Sequence, residues 1–192
     1  MHLLLHIQFL GGFSLFYGGK PVESINTARV QSLLAYLVLN ADIPQARQHL
    51  AFLLWPDTSE SNARNNLRQF LHQLRRLLLD PARFLSTDAN TVCWHRDESQ
   101  MIDVQRFELS LAEAEAAEQR ADLSAAQHWL KEALSFYRGD LLPGCYDDWI
   151  TSNREQLRQR CHSANQKLVH VLEGQRDYAA DLQAAQSLIS QL

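Results

Sequence analysis

The chain has 192 residues, a formal net charge of −4 and 46% hydrophobic residues. This composition fits one large domain or two small ones with an apolar core, and no apolar run is long enough to span a membrane. Three widely separated cysteines, Cys93, Cys145 and Cys161, give neither a disulfide framework nor a zinc-ligand pattern. We therefore expect no metal site and a reducing, cytoplasmic compartment.

The charges are unevenly distributed along the chain. Residues 1–95 contain eight Lys or Arg and six Asp or Glu, a net charge of +2. Residues 96–192 contain ten Lys or Arg and sixteen Asp or Glu, a net charge of −6. A mildly basic first half followed by an acidic second half indicates two modules with different partners.

Short strands are predicted before any helix. Leu3–Phe9 and Phe13–Tyr17 are apolar stretches compatible with strands, and Gly18–Pro21 is a turn signal. Two helices follow, over Thr27–Leu39 and about Ala46–Trp55, each with apolar residues at helical spacing. The first half is therefore predicted to be an α+β domain that begins with strands.

The third predicted helix, Ser61–Leu78, has two contrasting faces. Its apolar stripe recurs every three or four residues and is formed by Ala63, Leu67, Phe70, Leu71, Leu74, Leu77 and Leu78. The opposite face carries Arg64, Arg68, His72 and Arg75, flanked by Asn65, Gln69 and Arg76. No acidic residue is interleaved to form i,i+4 pairs, and Arg, Asn and Gln suit the base edges of the major groove. The pattern favours DNA contact, with a solvated polar face as the alternative.

A β-hairpin is predicted next, from Phe84–Thr87 and Thr91–Trp94 with Asp88-Ala89-Asn90 between them. Strands, two helices, a longer helix and a hairpin follow one another in a winged helix-turn-helix domain. In that domain the third helix enters the major groove and the hairpin lies along the DNA backbone. The alternative is an α+β domain that uses the same elements only for packing.

From Ile102 the sequence becomes helical and rich in alanine. Helices are predicted over Val104–Ala117 and Leu123–Tyr137, from Asp147 to about Glu173 with Gly174 as the terminating residue, and from Tyr178 to Leu192. Paired helices with small residues at their crossings predict an all-α, tetratricopeptide-like domain. Because the sequence stops within a helical repeat, we expect the chain to be a fragment of a longer protein.

The first half contains four motif-like segments, Leu10-Gly11-Gly12-Phe13, Leu33-Leu34-Ala35-Tyr36-Leu37, Leu53-Leu54-Trp55-Pro56-Asp57 and Ala63-Arg64-Asn65-Asn66-Leu67-Arg68-Gln69. Together they resemble the DNA-binding domain of the Streptomyces antibiotic regulatory protein (SARP) family. In the second half, YRGDLLPGCYDDW over residues 137–149 is similar to the YRGDFLPGxYxDW pattern of the bacterial transcriptional activator domain in this family. The resemblance implies an OmpR-type winged-helix DNA-binding domain at residues 1–96 and an activator domain at residues 97–192.

The resemblance also implies a function. Proteins of this family are transcriptional activators that bind direct repeats in double-stranded DNA, commonly as dimers, and recruit RNA polymerase. It places on the DNA-reading helix Arg64, Asn65, Arg68, Gln69, His72 and Arg75, and at the wing tip Asn90 and Thr91. Arg76 is a candidate phosphate contact beside them. The loop that faces the polymerase would be Trp55, Pro56, Asp57, Thr58 and Ser59. No cofactor is implied.

The chain departs from its relatives at two positions. Ala46 stands where they often have a Ser or Thr that caps the second helix, and a lost cap costs about 1 kcal/mol, so we expect that helix start to fray. Ala89 stands in the wing turn where they often have Gly. Both departures make the second helix and the wing less well defined by sequence.

A protein-interaction adaptor would use the acidic helical half as its working surface and the winged-helix half as a scaffold. The large aromatic residues Tyr137, Tyr146 and Trp149 are expected to be buried in either case. An enzyme finds no support, because there is no Ser-His-Asp spacing, no phosphate-binding loop and no metal-ligand cluster.

Overall fold

The computed structural model describes the backbone of residues 5–23, 25, 27–78 and 80–189, and the described side chains end at residue 174. The contacts divide the chain into two compact units. Unit 1 comprises the described parts of Met1–Ile102 and Gly139–Arg154, and unit 2 those of Asp103–Arg138 and Glu155–Leu192. Among the described residues, no helix combines the length and apolar character needed to span a bilayer.

Unit 1 alternates short strands with helices. Its strands are β1 (Leu5–Gln8), β2 (Ser14–Tyr17), β3 (Lys20–Pro21), β4 (Gln45–Ala46), β5 (Leu85–Thr87), β6 (Thr91–Trp94) and β7 (Gln100–Ile102). Its complete helices are α1 (Ala28–Leu39), α2 (Arg47–Leu54), α3 (Glu60–Leu77) and α4 (Pro81–Phe84). The predicted strands, helices and hairpin are confirmed to within a few residues, while Leu3 and Leu4 of the first predicted strand lie outside the described residues.

Two sheets frame the helices of unit 1. One has the strand order β3-β2-β1-β7, with β1 antiparallel to β2 and parallel to β7. The other has the order β4-β6-β5 and is antiparallel throughout. In the second sheet Leu85 pairs with Trp94, so β5 and β6 form the predicted hairpin. The hairpin therefore also binds the strand that leads directly into α2.

The core of unit 1 forms where the apolar stripes of its helices meet the sheets. α3 buries Ala63, Leu67, Leu71 and Leu74, as the spacing of three and four predicts. α1 buries Val30, Leu33, Leu34 and Leu37, and Trp94 of β6 stacks on Phe84 with ring centroids 6.0 Å apart. These contacts hold α1, α2, α3 and the hairpin in the winged helix-turn-helix arrangement.

Residues 139–154 pack in unit 1, although the sequence joins them to the helical half. Leu141 forms a β-bridge with Leu10, and Leu142 N–H donates to Phe9 O at 2.9 Å. Gly139 has φ +146°, and a Cβ there would lie 3.1 Å from the Cα of Gly11, so the close approach requires glycine. The winged-helix core is therefore completed by a segment far along the chain.

A polar cluster fixes the end of this segment on α1. Asp147 pairs with the guanidinium of Arg29 and accepts the hydroxyl of Ser32. Trp149 Nε1 donates to Ser32 Oγ at 3.2 Å, and its ring meets Tyr36 edge-on with centroids 5.1 Å apart. The motif residues Asp147 and Trp149 thus have a structural role within unit 1.

Tyr146 departs from the expected burial. Its side chain is 89% exposed, whereas the side chains of Cys145 before it and Ile150 after it are buried. The three Arg154 bonds to the carbonyls of Leu141, Leu142 and Cys145 hold the loop in a shape that turns Tyr146 outward. The expectation that Tyr146 packs in the core was wrong. The path of the loop buries Cys145 and turns the adjacent Tyr146 side chain toward solvent.

Unit 2 is helical. Its elements are α5 (Asp103–Gln119), α6 (Leu123–Phe136) and the part of α7 (Asp148–Ile189) that follows Arg154. Asp122 accepts the Ala125 N–H at 3.0 Å and so caps α6. The buried small residues at the helix contacts are Ala114, Ala117, Ala126, Ala133 and Ala164. These small side chains allow the close helix pairing that the sequence predicts.

The long C-terminal helix differs from its prediction. α7 runs continuously to Ile189, through Gly174, which does not have a positive φ. The prediction that Gly174 ends the helix was wrong. A helical glycine costs about 1 kcal/mol relative to alanine, and the many helix-favouring residues around it offset that cost. The last residues of the helix predicted over Tyr178–Leu192 lie outside the described part of the chain.

Candidate nucleic-acid interface

The polar face of α3 is exposed along its length. The side chains that the sequence assigned to this face are all exposed, namely Arg64, Asn65, Arg68, Gln69, His72, Arg75 and Arg76. Ser59 begins the helix by accepting the Asn62 N–H at 3.4 Å. One helix therefore presents seven polar side chains together, four of them guanidinium groups.

The helix begins at Glu60, one residue earlier than predicted, which places an acid on the helix four residues before Arg64. Glu60 pairs with Arg64 at i,i+4, so the expectation that no acid pairs with this face was wrong at that position. The pair is exposed on both sides, and such pairs contribute little stability. Arg64 can therefore exchange Glu60 for another anion at small cost.

The other arginines of this face have no such partner. Among the residues that the structure describes, no carboxylate forms an ion pair with Arg68, Arg75 or Arg76. Other arginines of unit 1 do find acids: Arg83 pairs with Asp97 at 2.6 Å, and Arg96 with Asp42 at 3.5 Å. Within the described chain, Arg68, Arg75 and Arg76 of α3 are thus left without an internal counter-ion.

The turn of the hairpin is held by a carboxylate. Asp88 Oδ1 accepts the N–H groups of Asn90 at 2.7 Å and Thr91 at 2.6 Å, and Oδ2 accepts the Thr91 hydroxyl at 2.7 Å. These bonds, the Thr91 hydroxyl first, hold the pKa of Asp88 below its ordinary value. Ala89 needs no positive φ in this turn. The wing is therefore well defined without the glycine of the relatives, and the Thr91 hydroxyl is engaged in shaping it.

The start of α2 is tied to the wing. Ala46 has no side-chain group that could cap the helix. However, Gln45 pairs with Val92 and Ala46 pairs with Thr91 of β6. The Arg47 N–H then donates to Asn90 O at 2.8 Å. Strand pairing and this bond therefore attach the start of α2 to the wing and satisfy the Arg47 N–H, one of the first donors of the helix, which have no intrahelical partner.

Arg47 is a residue that the sequence interpretation missed. Its guanidinium lies 3.5 Å from Asp88 O of the wing. Burial lowers the pKa of Arg47 first, and the positive charges of Arg68 and Arg75 lower it further. A cation at the first position of a helix opposes the helix dipole, and this unfavourable placement was the available signal.

A cleft joins α2, α3 and the wing. It has a volume of about 390 Å³ and is lined by Ala46, Arg47, Gln48, Arg64, Leu67, Arg68, Ala89 and Asn90. Three guanidinium groups and the amide of Asn90 thus surround one open concavity. The arrangement can donate several hydrogen bonds to an anion of the size of a phosphate.

The loop between α2 and α3 divides into a buried and an exposed part. Trp55 is only 9% exposed and packs on Phe70 with ring centroids 5.2 Å apart. Thr58 N–H and Oγ1 donate to Trp55 O at 3.3 and 3.2 Å, while Pro56, Asp57, Thr58 and Ser59 are exposed. Trp55 therefore supports the loop from beneath, and the residues after it form its accessible surface.

Among the described residues, no group of three or more His, Cys, Asp or Glu side chains is arranged to hold a metal ion. Cys93 is buried, and burial first raises the pKa of its thiol.

The profile of the bacterial transcriptional activator domain matches residues 102–190. Together with the winged helix-turn-helix that precedes it, this match supports placing the chain in the class of SARP-type transcriptional regulators. The recognition made from sequence motifs is confirmed. This class consists of transcriptional regulators and is not an enzyme class.

The fold is similar to that of Mycobacterium tuberculosis EmbR in complex with a low affinity phosphopeptide, with a TM-score of 0.82 and 22% sequence identity. The similarity covers 97% of this chain and 50% of the EmbR chain, so this chain spans about half the length of that structure. At this identity the likeness establishes the fold, an α+β winged helix followed by a helical region. The search of curated proteins gives no match.

Proposed function

We propose that this regulator binds double-stranded DNA sequence-specifically and activates transcription by contacting RNA polymerase. Residues 1–96 act as the DNA-binding domain and residues 97–192 as the activator domain. The observation that carries the proposal is the exposed guanidinium face of α3, which adjoins the wing and has no carboxylate partner at Arg68, Arg75 or Arg76 in the described chain. Such a face is stabilised by a polyanion, and its place in the fold is that of a recognition helix.

The side chains divide by what they can contact. Arg68, with Asn65 or Gln69, has the geometry to bind base edges in the major groove. Arg64, Arg75 and Arg76 contact phosphates on either side, which contributes affinity without sequence preference. His72 lies between them on the same face. Asn90 reaches the DNA backbone from the wing, while Thr91 keeps the wing turn in shape.

The exposed loop residues Pro56, Asp57, Thr58 and Ser59 are proposed to contact RNA polymerase, with Trp55 buried beneath them. The loop immediately precedes α3, so a protein bound to it would lie beside the DNA. The chain is proposed to bind its promoter repeats as a homodimer and to act in the cytoplasm, where that DNA is found.

The proposal is tested by selecting bound duplexes from a random DNA pool with the full chain. A shared motif with two half-sites at a fixed spacing is expected, and the spacing reports on dimerisation. Binding of the selected duplex is then measured over a salt series, where each phosphate contact contributes about 0.9 to the slope of log K against log salt. Failure to enrich a motif, together with binding that does not respond to salt, contradicts the proposal.

A second candidate function is a protein-interaction adaptor. Unit 2 leaves Leu109, Leu123 and Val169 largely exposed, and the second half of the chain is acidic. The adaptor function predicts that the chain binds bacterial RNA polymerase equally well with and without DNA, and that an Arg64→Ala/Arg68→Ala variant binds as the wild type does. Loss of the DNA-dependent complex in that variant favours the DNA-binding activator.

A further inference from the structure

Arg47 occupies a position that connects the two DNA-facing elements of unit 1. It is the first residue of α2, and its backbone N–H is bound to Asn90 O of the wing at 2.8 Å. Its half-buried guanidinium lines the same cleft as Arg64 and Arg68 of α3. No carboxylate within the described chain forms an ion pair with it. The Arg47 guanidinium donates a hydrogen bond to Asp88 O, which is long at 3.5 Å.

The backbone at this point has no free donor for a ligand at Arg47, because the wing already takes its N–H. The guanidinium of Arg47, and not its N–H, is therefore the group of this residue that can bind an anion in the cleft. Three guanidinium groups line the cleft, and among the residues that the structure describes only that of Arg64 forms an ion pair with an acid, Glu60. Guanidinium groups bind phosphate oxygens through two parallel hydrogen bonds, which favours a phosphate over a smaller or monodentate anion.

We infer that Arg47 is a further DNA-binding residue, whose guanidinium holds a backbone phosphate in the cleft between α3 and the wing. The inference rests on the proposed DNA-binding function and deepens it. Because Arg47 is attached to the wing through its main chain and faces Arg68 through its side chain, one phosphate at this point fixes both elements on the DNA. The contact is to the phosphate and not to a base, since Arg47 lies on the helix that precedes the recognition helix and beside the wing.

The electrostatics of the cluster support this assignment. Burial lowers the pKa of Arg47 first, the nearby charges of Arg68 and Arg75 lower it further, and the Asp88 carboxylate opposes this, so the free protein holds these cations against a partly offset mutual repulsion. A phosphate between them replaces the repulsion with attraction. The cluster therefore favours a polyanion more strongly than the same number of separated arginines would.

The experiment compares full-length wild type with Arg47→Gln. Two duplexes of equal length are used, one carrying the motif selected by the wild type and one of unrelated sequence. Arg47→Gln is expected to weaken binding to both duplexes several-fold and equally, and to reduce the salt slope by about 0.9. Arg47→Lys retains the charge and is expected to keep the wild-type slope. Arg120→Gln, which removes an exposed arginine of unit 2, serves as the matched control and is expected to change neither quantity.

Two results overturn the inference. One is an unchanged affinity and slope in Arg47→Gln. The other is a loss restricted to the selected duplex, which would make Arg47 a base contact. If the wild type itself shows no salt-dependent DNA binding, the proposed function fails and not this residue alone. Circular dichroism and thermal unfolding confirm the fold of each variant, and Arg47→Met, which keeps the apolar stem, replaces Arg47→Gln if that variant unfolds.

Discussion

The arginines of α3 differ from three cations of unit 2, Arg160, Lys167 and Arg106, in what neutralises them. In unit 2, Arg160 pairs with Glu108, Lys167 with Glu118 at 2.9 Å, and Arg106 with Glu132 at 3.9 Å. These pairs join different helices and are partly shielded from solvent. On α3, Arg64 alone among the arginines has an acidic partner within the described part of the chain, and that partner lies on the same helix. Cations at helical spacing therefore hold helices together in one region and form an open basic surface in the other.

The difference shows that the number of arginines says little about their function. The second half of the chain has more Lys and Arg than the first, yet its net charge is −6. A surface attracts a polyanion when its cations are exposed and unpaired, because the field of a paired cation is largely cancelled by its partner. Salt screens what remains beyond the Debye length of about 8 Å. The partner of each cation is therefore more informative than the sum of charges.

Charge reversal provides the largest expected effect. We expect Arg68→Glu combined with Arg75→Glu to abolish measurable binding to the selected duplex, since each side chain contributes on the order of 1–3 kcal/mol and the reversal adds repulsion. Fluorescence anisotropy titration of a labelled duplex measures the loss. Arg160→Glu, a single reversal in unit 2, is the control and should leave DNA affinity unchanged while lowering the thermal midpoint, because it places a second acid beside Glu108.

The segment of residues 139–154 allows the comparison to be sharpened within a single loop. Trp149→Ala is expected to destabilise the protein by about 2–3 kcal/mol, less than for a fully buried Trp, because it removes the contacts with Ser32 and Tyr36. Tyr146→Ala removes an exposed ring and should change stability by less than about 0.5 kcal/mol. Urea unfolding of both variants checks this. Equal effects would mean that this segment does not complete the core of unit 1.

Asp88 tests whether an acid beside the basic face acts through its charge or through its shape. If Asp88 acted only through its charge, replacing it would remove a negative charge near Arg47 that repels DNA phosphates, and DNA binding would become tighter. We expect the opposite, a several-fold weaker affinity for Asp88→Ala, because the carboxylate holds Asn90 and Thr91 in the wing turn. Asp57→Ala, an exposed acid in the loop before α3, is the control. Tighter binding by Asp88→Ala would contradict the positioning role.

The smallest expected effect is a dependence on pH. The folded pKa of Asp97 is held well below its ordinary value by hydrogen bonds from Arg83 and Ser99, and that of Asp88 is also lowered. A carboxyl with a depressed folded pKa stabilises the native state above its unfolded pKa, about 4, and this stabilisation is lost as the pH falls through the folded value. The thermal midpoint of unfolding should therefore decrease as the pH is lowered below about 4. Asp97→Asn should reduce this acid-side slope, and an unchanged slope would contradict the assignment.

Sequence periodicity determined much of the architecture. The apolar residues of α3 at intervals of three and four placed Leu67, Leu71 and Leu74 in the core, and the same spacing set Arg68 and Arg75 on the outside. The motifs around Trp55 and over residues 137–149 indicated the regulator class, which the matched domain confirms. These features are local, because helix and strand geometry relates residues only a few positions apart.

Other features were decided only by the tertiary structure. The pairing of Gln45 with Val92 brings Arg47 to the wing, and the bridge between Leu10 and Leu141 brings the segment of Trp149 to α1. Both contacts join parts of the chain separated by tens of residues or more, and no local spacing specifies such partners. The sequence by itself determined which faces are apolar or basic, and the tertiary structure determined which cations meet, because long-range contacts depend on how those faces pack against one another.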